Sequence, residues 1–221
     1  MYPNDFRFVL NNTFSEAQVN DFLAKAGCSP RFVYGVLMLP TALKYYIDEL
    51  QTSAIEQSMT PATLAGYELH RFAGSSPPVI TRSADPRASV EGVLILGLDE
   101  RQRNAIYELE SGLMTLVDVG VEICQEDEQG TRNIRTIDAG AFVWHGSVEG
   151  LTSMGSTAWE IDEYLASPFY RQITDFQNRG SPKDHKKSPA GAASYGSSLE
   201  SIKEEEVMDE HHICSYTGYV E

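Results

Sequence analysis

The most apolar stretch of the chain runs from residue 32 to residue 40, and one glycine, Gly35, interrupts it. Residues 32–37 show no alternation of polar and apolar positions, which is typical of a strand that is buried on both faces. Pro40 suits the first turn of a helix, and the apolar side chains after it recur at helical spacing. The pattern therefore predicts a buried strand, a tight turn and a helix over residues 41–51.

Shorter patterns predict the remaining elements. A capping-box sequence, Ser15 to Gln18, starts one helix, and Asp99 suits the N-cap of another. Pro61 lies in a polar segment and is expected to break regular structure there. The predicted helices cover residues 16–26, residues 100–110 and a last region around 159–173 that is broken near Pro168, and the predicted strands cover 65–72, 79–80, 90–96, 117–123 and 134–144.

Composition divides the chain into three parts. Residues 1–30 are expected to be an N-terminal extension with a short helix, and residues 31–177 to form one domain. Residues 178–221 are rich in Gly, Ser, Pro, Lys and Ala and then in Glu, so they bury too little apolar area to offset the entropy of ordering them. They are predicted to form a low-complexity, acidic and mobile tail. Four apolar residues of the N-terminal extension are expected to lie against the core: Phe6, Phe8, Val9 and Leu10.

The charge of the chain argues against two classes of partner. The formal net charge of the 221 residues is -15, whereas proteins that bind nucleic acid or anionic membrane surfaces present basic faces. The three cysteines are far apart and form no Cys-x-x-Cys pair, which favours a reducing compartment. The N-terminus lacks the pattern of a secretory signal, and no apolar run has the length of a membrane span. We therefore expect a soluble, cytoplasmic protein.

The common enzyme signatures are missing from the sequence. It contains no G-x-S-x-G elbow, no P-loop, no H-E-x-x-H and no G-x-G-x-x-G after a strand. His211, His212 and Cys214 have the chemistry of metal ligands but lie in the predicted tail without a fourth partner. His70 and His145 are isolated and are expected to be structural or exposed. Neither a metal nor a cofactor is therefore expected.

Two features of the sequence suggest chemistry. At Gly35 a ligand could approach the backbone closely, and the free amides of the turn that follows could hold a small anion such as a carboxylate. Glu110 lies where an apolar helix face meets a buried strand, so burial would raise its pKa and suit it for general acid-base work. Alternatives stay open for both features. Gly35 could be a packing glycine in a core strand, and Glu110 could be a solvated glutamate at a helix end, with Glu108 as its rival for the reactive role.

Four motifs, in order, are similar to those of the gamma-glutamylcyclotransferase-like superfamily, including its gamma-glutamylamine cyclotransferase and plant avirulence-induced branches. The similarity covers roughly residues 31–175 and places Glu110 on the catalytic glutamate of the family. The motifs are Phe32-Val33-Tyr34-Gly35-Val36-Leu37, which resembles Tyr-Gly-Ser/Thr-Leu; Val90-Glu91-Gly92-Val93-Leu94, which resembles Val-x-Gly-x-Leu; the segment Ile106 to Val121; and Ala141-Phe142-Val143-Trp144, which resembles Ala-x-x-Tyr.

The resemblance implies an α+β fold, a small mixed β-barrel flanked by helices, with a pocket at one side. It also implies a substrate, a γ-glutamyl amine or dipeptide, whose α-amine Glu110 would deprotonate. That amine would attack the γ-carbonyl and close 5-oxoproline, and Glu110 would then protonate the leaving amine. The backbone amides of four residues would hold the substrate carboxylate: Tyr34, Gly35, Val36 and Leu37.

The sequence departs from the family pattern around this expected pocket. Val36 replaces the usual Ser or Thr, Met114 stands where Tyr is common, and Thr115 and Leu116 stand where Arg is common. The alternative to an enzyme is therefore a non-catalytic module that binds a small molecule or a protein on the same fold. The sequence leaves the physiological substrate and the oligomeric state open.

Overall fold

The computed structural model describes residues 2–49, 52–72 and 78–179. The helices are α1 (Asn4–Asn11), α2 (Glu16–Leu23), α3 (Pro40–Tyr46), α4 (Glu100–Glu110), α5 (Ile161–Ala166) and α6 (Pro168–Asn178), with short 3-10 helices at Val36–Met38 and Ile55–Ser58. The strands are β1 (Phe14–Ser15), β2 (Arg31–Val33), β3 (Met59–Ala65), β4 (Tyr67–Phe72), β5 (Pro78–Arg82), β6 (Ser89–Ile95), β7 (Met114–Glu126), β8 (Arg132–Trp144) and β9 (Leu151–Ser153). The predicted tail lies outside the described residues apart from Asn178 and Arg179, which end α6.

Five strands close into a barrel in the order β7, β3, β6, β2, β8, and β8 pairs back with β7. The barrel is mixed, because β2 runs parallel to β8, while the other four strand pairs of the barrel are antiparallel. Strand β1 adds to β7 in parallel, and β5, β4 and β9 form a separate antiparallel sheet. This architecture confirms the expected small mixed barrel flanked by helices.

The long hairpin of β7 and β8 follows the predicted alternation. The two strands pair without a break from Met114 opposite Trp144 to Glu126 opposite Arg132. Valine and isoleucine of β7 are buried in the barrel at every second position, while the polar residues and the glycine between them face outward. One apolar cluster fills the barrel, and a second lies between the barrel and the helices. Glu110 and α3 belong to the side of the molecule that the second cluster holds together.

Two predicted helix starts are confirmed by their caps. The Ser15 side chain accepts a hydrogen bond from the Gln18 amide, and the Gln18 side chain accepts one from the Ser15 amide. Asp99 and Gln102 form the same reciprocal pair at the start of α4. Each cap satisfies amides that a helix leaves unpaired in its first turn. In the N-terminal helix α1 only half of the four apolar residues reach the core, since Phe8 and Leu10 are 47% and 41% exposed.

The interpretation of residues 32–37 as a buried strand is wrong beyond Val33. Strand β2 ends there, and residues 36–38 form a 3-10 helix in which Met38 N–H donates to Gly35 O and Leu39 N–H donates to Val36 O. The apolar run reflects burial of a compact turn rather than an extended chain. Helix α3 also ends at Tyr46, before the predicted residue 51, because Asp48 adopts a left-handed backbone conformation with φ 55°.

The prediction that Pro61 breaks regular structure is also wrong. Pro61 lies inside β3, directly opposite Val93 of β6. The ladder between β3 and β7 includes only Ala62 and Thr63. One edge of Pro61 therefore has no neighbouring strand, and a missing N–H is tolerated at such an edge.

Candidate functional site

Glu110 is the last residue of α4, one turn after the fully buried Ile106. The residue is half-buried, and the protein around it removes water from the carboxyl group. This desolvation raises the pKa of Glu110 from 4.5 to about 7. The C-terminal end of a helix carries partial negative charge, which also disfavours a carboxylate. Glu110 can therefore gain and lose a proton near neutral pH.

Two tyrosines lie within range of the Glu110 charge. Burial raises the pKa of Tyr34 well above its usual value, and the negative charge of Glu110 raises it further. The pKa of Tyr46 is raised for the same two reasons, with the neighbouring Tyr45 adding to them. Tyr34 follows β2 and Tyr46 ends α3, so both elements lie near the end of α4.

The Glu110 carboxyl group is not engaged by the rest of the described chain. It forms no hydrogen bond and no ion pair with residues 2–49, 52–72 or 78–179, and burial is the main cause of its raised pKa. The carboxyl oxygens are thus available to accept a proton from a bound molecule.

The phenol of Tyr34 is anchored in the protein. Its hydroxyl donates a hydrogen bond of 2.6 Å to the main-chain oxygen of Phe142 and lies 3.2 Å from Sδ of Met114. Met114 therefore fills space beside Tyr34 at the position where the family commonly has tyrosine. Because this hydroxyl is engaged, what Tyr34 can offer a ligand is its main chain at the start of the turn.

The turn after Tyr34 presents its amides ahead of its first hydrogen bond. Met38 and Leu39 are the first donors of the 3-10 helix, so the amides of Gly35, Val36 and Leu37 precede it. The Val36 side chain packs in the apolar cluster between barrel and helices. A side-chain carbon added at Gly35 would lie 3.3 Å from the ring of Pro78. The turn is thus fixed on both sides.

Tyr46 and Tyr164 were not identified from the sequence as site residues. Both occupy positions whose helical spacing indicates core packing, and both do pack against the cluster between barrel and helices. The hydroxyl oxygen of Tyr164, on α5, is completely enclosed, and the Tyr46 hydroxyl lies beside it. Only their hydroxyl groups distinguish these side chains from core residues, and the spacing of apolar positions gives no information about a hydroxyl group.

The raised pKa of Glu110 has a consequence for stability. The folded state holds this proton more tightly than the unfolded chain, so folding is penalised progressively as pH rises from 4.5 and fully above about 7. We expect Glu110→Gln to increase the free energy of unfolding at pH 8 by up to about 3 kcal/mol, and by much less at pH 5. Urea denaturation at both pH values measures the difference. Glu108→Gln, at an exposed position of the same helix, is the control; equal effects of the two substitutions would contradict burial of the Glu110 charge.

The described residues contain neither a candidate metal site nor a helix that could span a membrane. Within them, no three His, Cys, Asp or Glu side chains are grouped closely enough to hold a metal ion. His211, His212 and Cys214 lie outside those residues. His70 is buried, with its Nδ1 3.3 Å from Oγ1 of Thr81. No helix in the described part of the chain has the length and apolarity needed to cross a membrane.

A hollow lies elsewhere on the barrel. It has a volume of about 420 Å³ and lies between α1, strands β3, β6 and β7, and residues 158–161. Its wall is mainly apolar, with Phe6 and Trp159 among the lining residues and Glu91 and Glu122 as the acidic ones. This hollow is a competing location for a ligand.

Solved structures of low sequence identity are similar to parts of this chain. A solution structure of a protein from Arabidopsis thaliana is 18% identical and covers 89% of this chain and 98% of its own, with a TM-score of 0.45. An uncharacterised protein from Pyrococcus horikoshii is 17% identical, with coverage of 62% and 93% and a TM-score of 0.41. An aig2-like protein from Mus musculus is 13% identical, with coverage of 72% and 99% and a TM-score of 0.34. No curated protein sequence matches the chain.

The family itself is identified by a sequence model. The model of the family described as gamma-glutamyl cyclotransferase, AIG2-like matches residues 31–161. This match includes the barrel strands β2, β3, β6, β7 and β8, the turn after Tyr34, and Glu110. The chain therefore belongs to the gamma-glutamyl cyclotransferase, AIG2-like family.

Proposed function

We propose that this protein is a γ-glutamyl cyclotransferase that converts a γ-glutamyl amine or dipeptide to 5-oxoproline and releases the amine. The observation that carries the proposal is the Glu110 carboxyl group, which is desolvated, has a pKa of about 7 and has no protein partner in the described chain. Such a group suits a reaction in which one residue first accepts and then returns a proton. Membership of the family supports the same reaction class.

The proposed reaction moves one proton through Glu110. The carboxylate removes a proton from the α-ammonium group of the substrate, and the freed amine attacks the γ-carbonyl carbon. The π electron pair of the carbonyl moves to its oxygen in the tetrahedral intermediate. When that pair returns, the bond to the leaving nitrogen breaks, and this nitrogen takes the proton that Glu110 holds. The ring nitrogen still carries two protons and passes one of them to the released amine. The products are 5-oxoproline and the ammonium form of the amine, and Glu110 is again ionised.

The turn after Tyr34 would position the substrate. The amides of Tyr34, Gly35, Val36 and Leu37 are proposed to hold the substrate α-carboxylate, and each such charge-assisted bond contributes roughly 1.5–3 kcal/mol. Because both reacting groups belong to one molecule, the protein needs only to fix the conformer in which the amine faces the carbonyl. A substrate that binds along Tyr34 would lie near Glu110, because the Tyr34 phenol is within range of that carboxylate.

The pH dependence of turnover tests the assignment of the base. Glu110 must be ionised in the free enzyme, so kcat/KM is expected to increase with pH up to about 7 and then to level off. The measurement is 5-oxoproline released from a panel of γ-glutamyl amines and γ-glutamyl amino acids between pH 5 and 9. A rate that falls as pH rises through this range would exclude Glu110 as the base.

A binding module is the second candidate function, and one observation favours it. Met114 contacts the Tyr34 hydroxyl through its sulfur, which replaces a polar side chain of the family pattern with an apolar one. Thermal stabilisation by a γ-glutamyl amine of both wild type and Glu110→Gln, without 5-oxoproline in either, would support binding without catalysis.

A further inference from the structure

The hollow beside α1 has an acidic row along one wall. Thr63 of β3 lies opposite Glu91 of β6 on one side and opposite Glu122 of β7 on the other. Side chains at paired positions of neighbouring strands project from the same face of a sheet, and the strands are roughly 5 Å apart. The two carboxylates therefore flank one hydroxyl group on the outer face of the barrel, and all three residues line the hollow.

The rest of the lining is mainly apolar. Phe6 of α1 and Trp159 belong to the cluster between the barrel and the helices, and both line the hollow. Tyr2 and Leu10 also line it, and their side chains are exposed to solvent. Sites for small molecules are typically apolar clefts of about 300–1,000 Å³ with a few polar groups. At about 420 Å³, the hollow has the size and the lining of such a cleft.

No cation of the described chain neutralises the acidic row. Among the described residues that line the hollow, none is lysine, arginine or histidine, and neither Glu91 nor Glu122 forms a salt bridge within residues 2–49, 52–72 and 78–179. Glu91 accepts a hydrogen bond of 3.1 Å from Oγ1 of Thr157, which orients one of its two carboxylate oxygens. Because both carboxylates lack a counter-charge, a ligand of complementary charge is a cation.

From this arrangement we propose that the hollow binds an organic ammonium ion with an apolar body. The ammonium group donates hydrogen bonds to Glu91 and Glu122, and the apolar body packs against Phe6 and Trp159. An inorganic cation would make no use of the apolar wall, and a neutral ligand would leave both carboxylates without a counter-charge. Aromatic side chains add to the preference, because they attract ammonium groups placed over their rings.

This site is separate from the one proposed for the reaction. Neither Glu110 nor any of residues 34–37 lines the hollow, so the inference does not rest on the proposed function. A γ-glutamyl compound carries an α-carboxylate, which the acidic row repels. The amine that the proposed reaction releases, in contrast, belongs to the class of ligand that the hollow favours.

A matched series of ligands provides the first test. The probes are 2-phenylethylammonium, the neutral 2-phenylethanol and the anionic 3-phenylpropanoate, which share an apolar body, and their binding to the full chain is measured by isothermal titration calorimetry. The ammonium ion is expected to bind at least about tenfold more tightly than the alcohol, as charge-assisted hydrogen bonds require, and the carboxylate is expected not to bind. Equal affinity for the alcohol, or no binding of the ammonium ion, would overturn the inference.

Charge variants provide the second test. Glu91→Gln and Glu122→Gln are each expected to lower the affinity for 2-phenylethylammonium on the order of tenfold. Glu149→Gln is the matched control, because it removes the same charge from an exposed position outside the hollow, and it is expected to bind as tightly as the wild type. An equal loss in all three variants would attribute the effect to net charge, and a loss only in Glu110→Gln would place the ligand at the other site. Either result, or no loss in Glu91→Gln and Glu122→Gln, overturns the inference.

Leu10→Ala tests the apolar part of the hollow. Leu10 is a lining residue, so its truncation is expected to weaken binding of 2-phenylethylammonium several-fold through lost apolar contact. Phe8→Ala removes a larger exposed side chain from the same helix without changing the lining, and its affinity is expected to equal that of the wild type. Melting curves check that both variants are folded. A folded Leu10→Ala with wild-type affinity, or a loss in Phe8→Ala instead, would overturn the inference and leave the proposed function standing.

Discussion

Glu110→Gln is expected to lower kcat for 5-oxoproline formation on the order of 10²–10⁴-fold, the usual contribution of a general acid-base group. Glutamine has nearly the same shape as glutamate but cannot accept the proton of the substrate amine. Substrate binding is expected to persist, because the carboxylate of the substrate is proposed to bind the amides of residues 34–37. Product release measured against time, at saturating substrate, provides the test.

The matched control for this experiment is Glu108→Gln. Glu108 lies two residues earlier on α4 and is exposed, so its substitution is expected to leave kcat unchanged. A variant at position 110 that keeps wild-type kcat, or a loss at position 108 instead, would assign the proton transfer to another residue. Together with the stability measurement at pH 8, the result shows whether activity depends on the Glu110 carboxylate, whose burial destabilises the folded state.

Gly92→Ala is expected to destabilise the barrel, and far more than the same substitution at Gly112. A side-chain carbon at Gly92 would lie 2.4 Å from the main-chain oxygen of Val33 and 2.6 Å from the ring of Phe32. Backbone oxygen and a buried ring have no room to move aside, so strands β2 and β6 would have to separate. Overpacking of this kind costs roughly 1–3 kcal/mol and occasionally more, which corresponds to a fall in Tm of about 2–4 °C per kcal/mol for a chain of this size.

Gly112→Ala is the control for the barrel experiment. An added side-chain carbon there meets no atom within 4 Å, and the backbone of Gly112 is not left-handed. We expect its Tm to stay close to that of the wild type. A stable Gly92→Ala variant would mean that β2 and β6 are not as closely packed as described, and the turn after Tyr34 would lose its fixed starting point.

Local signals in the sequence predicted much of the fold. The caps at Ser15 and Asp99 depend only on residues three apart, so they could be identified without tertiary information. The hairpin of β7 and β8 was predictable because polar and apolar residues alternate along β7, with one face of that strand buried and the other exposed. Closure of the barrel through a parallel pair of β2 and β8 depends on contacts between distant residues, and only the family resemblance implied it.

The failures of prediction have a common physical cause. Residues 36–38 and Pro61 were interpreted from apolarity and local propensity, but tertiary packing decides whether a buried segment is extended. The 3-10 helix at Val36–Met38 is as apolar as a strand because the whole turn lies in the core. Pro61 fits a strand because one of its edges has no neighbour at that point.

The candidate site shows the same limit. Glu110 could be identified from its place between an apolar helix face and a strand, and the structure finds it desolvated there, while its catalytic role stays a prediction. Tyr46 and Tyr164 could not be identified, because each lies at a spacing that core residues also occupy. Only the folded arrangement of α3 and α5 places the Tyr164 hydroxyl beside that of Tyr46, which is within range of the Glu110 charge.

The central claim is that Glu110 and the amides of residues 34–37 serve one ligand. A crystal structure of Glu110→Gln with a γ-glutamyl amine bound tests it most directly. The account predicts that the ligand α-carboxylate accepts hydrogen bonds from these amides while its α-nitrogen lies next to the side chain at position 110. Ligand bound instead in the hollow beside α1, or bound at the turn with its nitrogen pointing away from position 110, would contradict the claim.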